Sequence, residues 1–100
     1  MYLTFLNNLG VSNMKEIMVT DFKVTKRFLK FCKLMTYCDK YPGLCAYEAG
    51  YKGTDGTNYC RQHGYIAKRL VNMDSYHILT SRFKQMLKDG DISEEDLING

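Results

Sequence analysis

Three cysteines and one histidine in the middle of the chain have the residue types and spacing of a zinc site. Six residues separate Cys38 from Cys45, and Cys60-Arg-Gln-His63 follows after a further fourteen residues. Thiolates and an imidazole hold Zn²⁺ in tetrahedral geometry, and a site with four protein ligands has no open position for a substrate. We therefore predict a structural Zn²⁺ with Cys38, Cys45, Cys60 and His63 as its ligands.

The same residues allow two other states of the thiols. Free cysteine is often a small core residue, and Cys32, which belongs to the apolar face of a predicted helix, is expected to be one. Cys32 is also a substitute ligand if Cys38 points away. Four cysteines permit disulfides in a secreted protein. The N-terminal residues lack the basic and apolar regions of a signal peptide, so we expect a cytoplasmic location, where clustered Cys and His favour metal.

Helical segments are expected on both sides of this centre. The strongest runs from Asp21 to about Tyr37, where apolar residues recur every three or four positions and Asp21 is a suitable N-cap. Its lysines and arginine, including Lys33, are expected on the solvent side. Shorter helices are predicted near residues 2–9 and from Asn13 onward.

Three further helical segments are predicted after the centre. The first spans Tyr65 to about Val71, and the second is capped by Asp74 or Ser75 and runs to Lys88, with Gly90 as its stop. A last short turn begins after Ser93, because the acidic residues that follow suit a helix N-terminus.

The centre itself is rich in turn-forming residues. The only proline, Pro42, and five of the eight glycines fall between residues 42 and 64. Asp55-Gly56 predicts a hairpin with short strands at 46–48 and 58–59. The chain is thus expected to be a single domain, 1–100, of mainly α class, or α+β with one short β-hairpin. Its parts are a helical arm at 1–37, a zinc and hairpin centre at 38–64 and a helical arm at 65–100.

Residues 38–70 resemble small zinc fingers of the treble-clef kind. The resemblance is carried by the Tyr59-Cys60-Arg61-Gln62-His63 stretch, by the preceding cysteine pair and by the turn at Tyr41-Pro42-Gly43. Similar patterns occur in zinc fingers encoded by phages, some of them attached to nucleases. The resemblance implies a metal-stapled scaffold, and no nuclease motif follows in this chain.

Charge is distributed unevenly along the sequence. The net charge is +3, yet the first 88 residues hold all fourteen basic residues and only six of the eleven acidic ones. A basic body indicates an anionic partner. Six of the eight tyrosines lie between residues 37 and 65, and aromatic rings stack on bases while basic side chains neutralise phosphate. The predicted nucleic-acid or partner-binding residues are Lys23, Arg27, Lys30, Lys52, Tyr51, Arg61, Lys68 and Arg69.

The sequence favours a small regulatory or binding protein rather than an enzyme. It contains no phosphate loop and no nucleophile elbow, and no apolar run approaches the length of a membrane span. The preferred function is a phage or mobile-element regulator that binds nucleic acid or a nucleoprotein machine. The alternative is a viral inhibitor that contacts the nucleic-acid-binding surface of a host defence enzyme and does not bind nucleic acid itself.

Overall fold

Five α-helices make up the regular structure in this computed structural model, which describes residues 24–54, 56 and 58–99. They are α1 (Lys26–Tyr37), α2 (Pro42–Ala49), α3 (Arg61–Leu70), α4 (Asp74–Asp89) and α5 (Glu94–Asn99). The described residues are mostly helical and form no sheet, so the mainly α prediction is confirmed. The two helices predicted before Asp21 lie outside the described residues.

Helix α1 is the central element, because α2, α4 and α5 all pack against it. The predicted apolar positions Phe28, Phe31, Cys32 and Met35 are buried. Phe31 packs edge-on to Tyr51, with ring centroids 6.4 Å apart. Burial of such side chains supplies most of the stabilisation of a domain of this size.

Two predictions for α1 are wrong. The helix begins at Lys26, and Thr25 is its N-cap, with a side-chain oxygen that accepts a hydrogen bond from the Phe28 N–H at 3.0 Å. Asp21, the predicted cap, lies outside the described residues. Lys33 was expected on the surface but is only 2% exposed, because neighbouring helices cover more of α1 than its apolar face alone.

The C-terminal helices lie where they were predicted, but the N-cap of α4 is Met73 and not Asp74 or Ser75. Helix α4 begins at Asp74 and stops at Gly90, which has a φ of 82°, a conformation that favours glycine. Ser93 and Asp96 form reciprocal hydrogen bonds at the start of α5, with the Ser93 N–H 2.8 Å from an Asp96 carboxylate oxygen. Leu79 and Phe83 of α4 and Leu97 of α5 are buried in the hydrophobic core.

The predicted hairpin in the centre is wrong for the described residues. The stretch expected to form its first strand belongs to α2, and all that remains of the pairing is one isolated antiparallel bridge between Gly53 and Gly56. Pro42 begins a helix because its fixed φ and missing N–H suit the first helical position. Gly50, with a φ of 104°, ends that helix.

Helices α2 and α3 make the most extensive contact between described helices, and Gly43 lies in this contact. A Cβ atom on Gly43 would lie 3.1 Å from the backbone nitrogen of Gly64 and 3.2 Å from its Cα. Both are backbone atoms of a packed helix, so they cannot move aside as a flexible side chain would. The absence of a side chain on Gly43 therefore sets the distance between the two helices.

We expect Gly43→Ala to destabilise the protein by about 1 kcal/mol or more, because the added methyl group forces α2 and α3 apart. The matched control is Gly64→Ala on the facing helix, where an added Cβ meets no described atom within 4 Å. That control should raise the free energy of unfolding by about 0.5–1 kcal/mol through helix propensity. Urea unfolding of both variants checks this, and a Gly43→Ala protein as stable as wild type would contradict it.

Candidate functional site

The four predicted zinc ligands lie in two pairs. Cys60 is the N-cap of α3, and its sulfur is 3.7 Å from Nδ1 of His63 in the first turn of that helix. Cys45 lies in α2, and its thiol donates to the carbonyl oxygen of Cys38 at 3.5 Å. Among the described residues, no group of three or more His, Cys, Asp or Glu side chains is arranged to hold a metal ion. The predicted zinc site stays a prediction.

His63 is held by hydrogen bonds at both ring nitrogens. The backbone N–H of Cys60 donates to Nδ1 at 3.1 Å, which assigns the ring proton to Nε2 because an N–H can only donate. Nε2 then donates to the carbonyl oxygen of Tyr51 at 2.8 Å. His63 is fully buried. A metal bound to this ring would displace one of these two hydrogen bonds.

Aromatic rings cover the faces of His63. Tyr59 stacks on it at a centroid distance of 5.6 Å, and Tyr47 meets it edge-on at 5.3 Å. The three rings fix the start of α3, which begins at Arg61 rather than after His63 as the sequence suggested. The residues from Arg61 to Gly64 are therefore helical.

Helix α3 has one buried and one exposed face. His63, Ala67 and Leu70 are buried, and the opposite face carries exposed side chains at three- and four-residue spacing. We call this exposed set the α3 face; it consists of Arg61, Gly64, Tyr65, Lys68 and Arg69. Helix α3 contains no acidic residue. Tyr65 is 62% exposed, so the face has an aromatic ring among positive charges.

Tyr51 connects the α3 face to α1. The guanidinium carbon of Arg27 lies 5.1 Å from the centre of the Tyr51 ring, a cation–π geometry. Burial raises the pKa of the Tyr51 phenol, and the charge of Arg27, a hydrogen bond with Thr25 and the charge of Arg69 partly oppose that rise. The cation–π contact places Arg27 of α1 beside the segment that leads from α2 to α3.

The other predicted binding residues are distributed around this region. Lys52 is exposed in the segment that joins α2 to α3, Lys30 is half-buried on α1, and Lys23 lies outside the described residues. The predicted site residues did not include Gly64 or Tyr65, although Tyr65 was one of the six central tyrosines considered for stacking on bases. The spacing from Arg61 to Arg69 was the signal that would have found them.

An apolar groove lies on another part of the surface. It has a volume of about 150 Å³, and Tyr37, Tyr41 and Leu44, which line it, are each more than 40% exposed. Its remaining lining residues are Leu34, Cys38, Cys45 and Glu48. Burial raises the pKa of the Cys45 thiol to about 11, with further contributions from the negative charges of Cys38, Asp39 and Glu48.

Comparison with protein-family models, with curated proteins and with solved structures finds no match to this chain. The resemblance to treble-clef fingers therefore stays a prediction. None of the described helices has both the length and the apolar character needed to span a membrane.

Burial of Cys32 predicts a loss of stability at alkaline pH. Burial raises the pKa of this thiol from 9.0 to about 12, so above pH 9 the unfolded chain loses the proton while the folded chain keeps it. The free energy of unfolding should then fall by up to about 1.4 kcal/mol per pH unit for this one group between pH 9 and 12.

Urea unfolding at several pH values, compared between wild type and Cys32→Ala, isolates this contribution. The variant is expected to be less stable at pH 7, because it leaves a small cavity, but its stability should depend less steeply on pH above 9. Equal pH dependence of the two proteins would contradict the assignment.

Proposed function

We propose that this protein binds nucleic acid through the α3 face. The observation that carries the proposal is the exposure of Arg61, Lys68 and Arg69 on one side of a helix that has no acidic residue. Basic side chains that neutralise phosphates release condensed counterions, and this release drives sequence-independent binding. A role as a binding or regulatory module requires no catalytic group.

The distribution of charge around the core supports the proposal. The acidic residues Glu94, Glu95 and Asp96 belong to α5, which packs on α1. Helix α3 packs mainly on α2. The acidic helix α5 and the basic helix α3 therefore pack on two different helices, α1 and α2. Arg27 of α1 is a further exposed cation, in contact with the ring of Tyr51.

A second candidate function, inhibition of a host nucleic-acid-binding enzyme by direct protein contact, is favoured by the apolar groove beside Tyr37, Tyr41 and Leu44. Exposed apolar surface often marks a protein interface. An inhibitor of this kind would hold its partner at moderate salt and have no affinity for free nucleic acid. Zinc binding by Cys38, Cys45, Cys60 and His63 is a competing proposal for the centre of the protein, because a metal on His63 would replace one of its two hydrogen bonds.

The nucleic-acid proposal predicts binding that weakens steeply with salt. Fluorescence anisotropy of a labelled oligonucleotide should give an affinity that falls linearly with salt on logarithmic axes. Lys68→Ala should weaken binding and reduce that slope by about 1, because one phosphate contact is lost. Lys84→Ala, which removes an exposed lysine from α4, is the matched control and should leave the slope unchanged.

Two outcomes would contradict the proposal. One is an absence of binding by the wild-type protein at low salt, which would favour the protein–protein alternative. The other is an equal loss of slope in Lys68→Ala and Lys84→Ala, which would mean that charge alone, and no particular face, attracts the oligonucleotide.

A further inference from the structure

Gly64 lies inside helix α3, at a position where the described structure would also accept a larger residue. It lies in α3, and it is not among the described glycines with positive φ. A Cβ atom on Gly64 would meet no described atom within 4 Å. A protein with glycine inside a helix is less stable than one with alanine there, because the glycine backbone loses more conformational entropy on folding. Stability of the described fold therefore gives no reason for glycine at this position.

The bare backbone of Gly64 lies at the edge of the α3 face that is nearest to α2. Arg61 precedes it by three residues and Lys68 follows it by four, so both lie on the same side of the helix. Tyr65 is adjacent and 62% exposed. The result is a low area of surface bordered by an aromatic ring and two positive charges.

The hydroxyl of Tyr59 lies near the contact between Gly64 and Gly43 of α2. Its hydroxyl oxygen and the Cα of Gly64 are each 3.2 Å from the position where a Cβ on Gly43 would lie. One face of the Tyr59 ring is covered by His63, which stacks on it with an interplanar angle of 26°. Tyr59 is nevertheless 56% exposed, so it is a second aromatic ring beside Gly64, held by its contact with His63.

We propose that Gly64 and Tyr65 form a stacking site for an unpaired base, and that the nucleic acid bound by the α3 face is single-stranded. This inference depends on the proposed function and adds the substrate class. Base faces are accessible in single strands, whereas in a duplex they are covered by their neighbours. The base stacks on the Tyr65 ring above the bare surface of Gly64, while Arg61 and Lys68 contact the adjoining phosphates.

The test compares a labelled single-stranded oligonucleotide of about ten nucleotides, within the usual site size of such proteins, with a duplex of the same length. The wild-type protein should bind the single strand more tightly. Tyr65→Ala should weaken single-strand binding by about tenfold, as loss of one base–aromatic stack does, and should change duplex binding much less. Tyr65→Phe keeps the ring and should bind like wild type.

Tyr41→Ala is the matched control, because Tyr41 is 64% exposed and lies in the apolar groove rather than on the α3 face. It should leave the affinity unchanged. Gly64→Ala gives a second, independent readout. It should raise the thermal midpoint by a few degrees and at the same time weaken single-strand binding severalfold, because the methyl group occupies the space of the base.

The outcomes separate this inference from the function on which it depends. If wild type binds neither oligonucleotide, the proposed function fails and the stacking site with it. If wild type binds both and Tyr65→Ala weakens the two equally or not at all, the α3 face remains a nucleic-acid surface and the stacking site is overturned. A Gly64→Ala protein that is more stable and binds with unchanged affinity also overturns it.

Discussion

The hydrogen bond from His63 to the carbonyl oxygen of Tyr51 is the interaction on which the centre of this protein depends. The segment between α2 and α3 is rich in glycine and has, among its described residues, only the isolated bridge between Gly53 and Gly56 as regular pairing. One buried imidazole joins this segment to α3 through a contact between residues twelve positions apart. Buried polar groups of this kind stabilise a structure only when all their hydrogen bonds are made, and both nitrogens of His63 make theirs.

The position of His63 also determines which residues of α3 face outward. Because His63, Ala67 and Leu70 point into the protein, helical periodicity directs Arg61, Tyr65 and Lys68 to the opposite side. The close approach of α2 at Gly43 holds α3 in place. The same contacts that stabilise the centre thus orient the charged and aromatic surface that we propose as the binding site. No bound metal is needed to explain this orientation.

The parts of the fold that were predictable from the sequence are those in which local signals agree. In α1 and α4 the apolar period indicates a helix, and Gly90 ends α4 as expected. The start of α1 and the exposure of Lys33 were predicted wrongly even there. In the centre these signals conflict. Pro42 and Gly43 are typical of a turn, yet Pro42 occupies the first position of α2 and Gly43 allows α3 to approach. The role of Gly43 depends on the contact with α3, which no local pattern contains.

The sequence identified the charged residues of the candidate site but not the hydrogen-bond partner of His63. Arg61, Lys68 and Arg69 were identified from charge, and their common face follows once α3 is known to begin at Arg61. The spacing of Cys60 and His63 indicated metal ligands, because a pair three residues apart at a helix start is typical of zinc sites. The carbonyl of Tyr51 offers His63 another partner, and that long-range contact could not be read from spacing.

The most direct test of the role of His63 is the protonation pattern of its ring, which ¹⁵N NMR of the labelled protein measures. We predict a neutral ring with the proton on Nε2 and a bare Nδ1, as required by the hydrogen bonds to Tyr51 and Cys60. A proton on Nδ1 would contradict this account. A chemical shift typical of a metal-bound nitrogen at either position would also contradict it, and would instead support the zinc site that the sequence predicts.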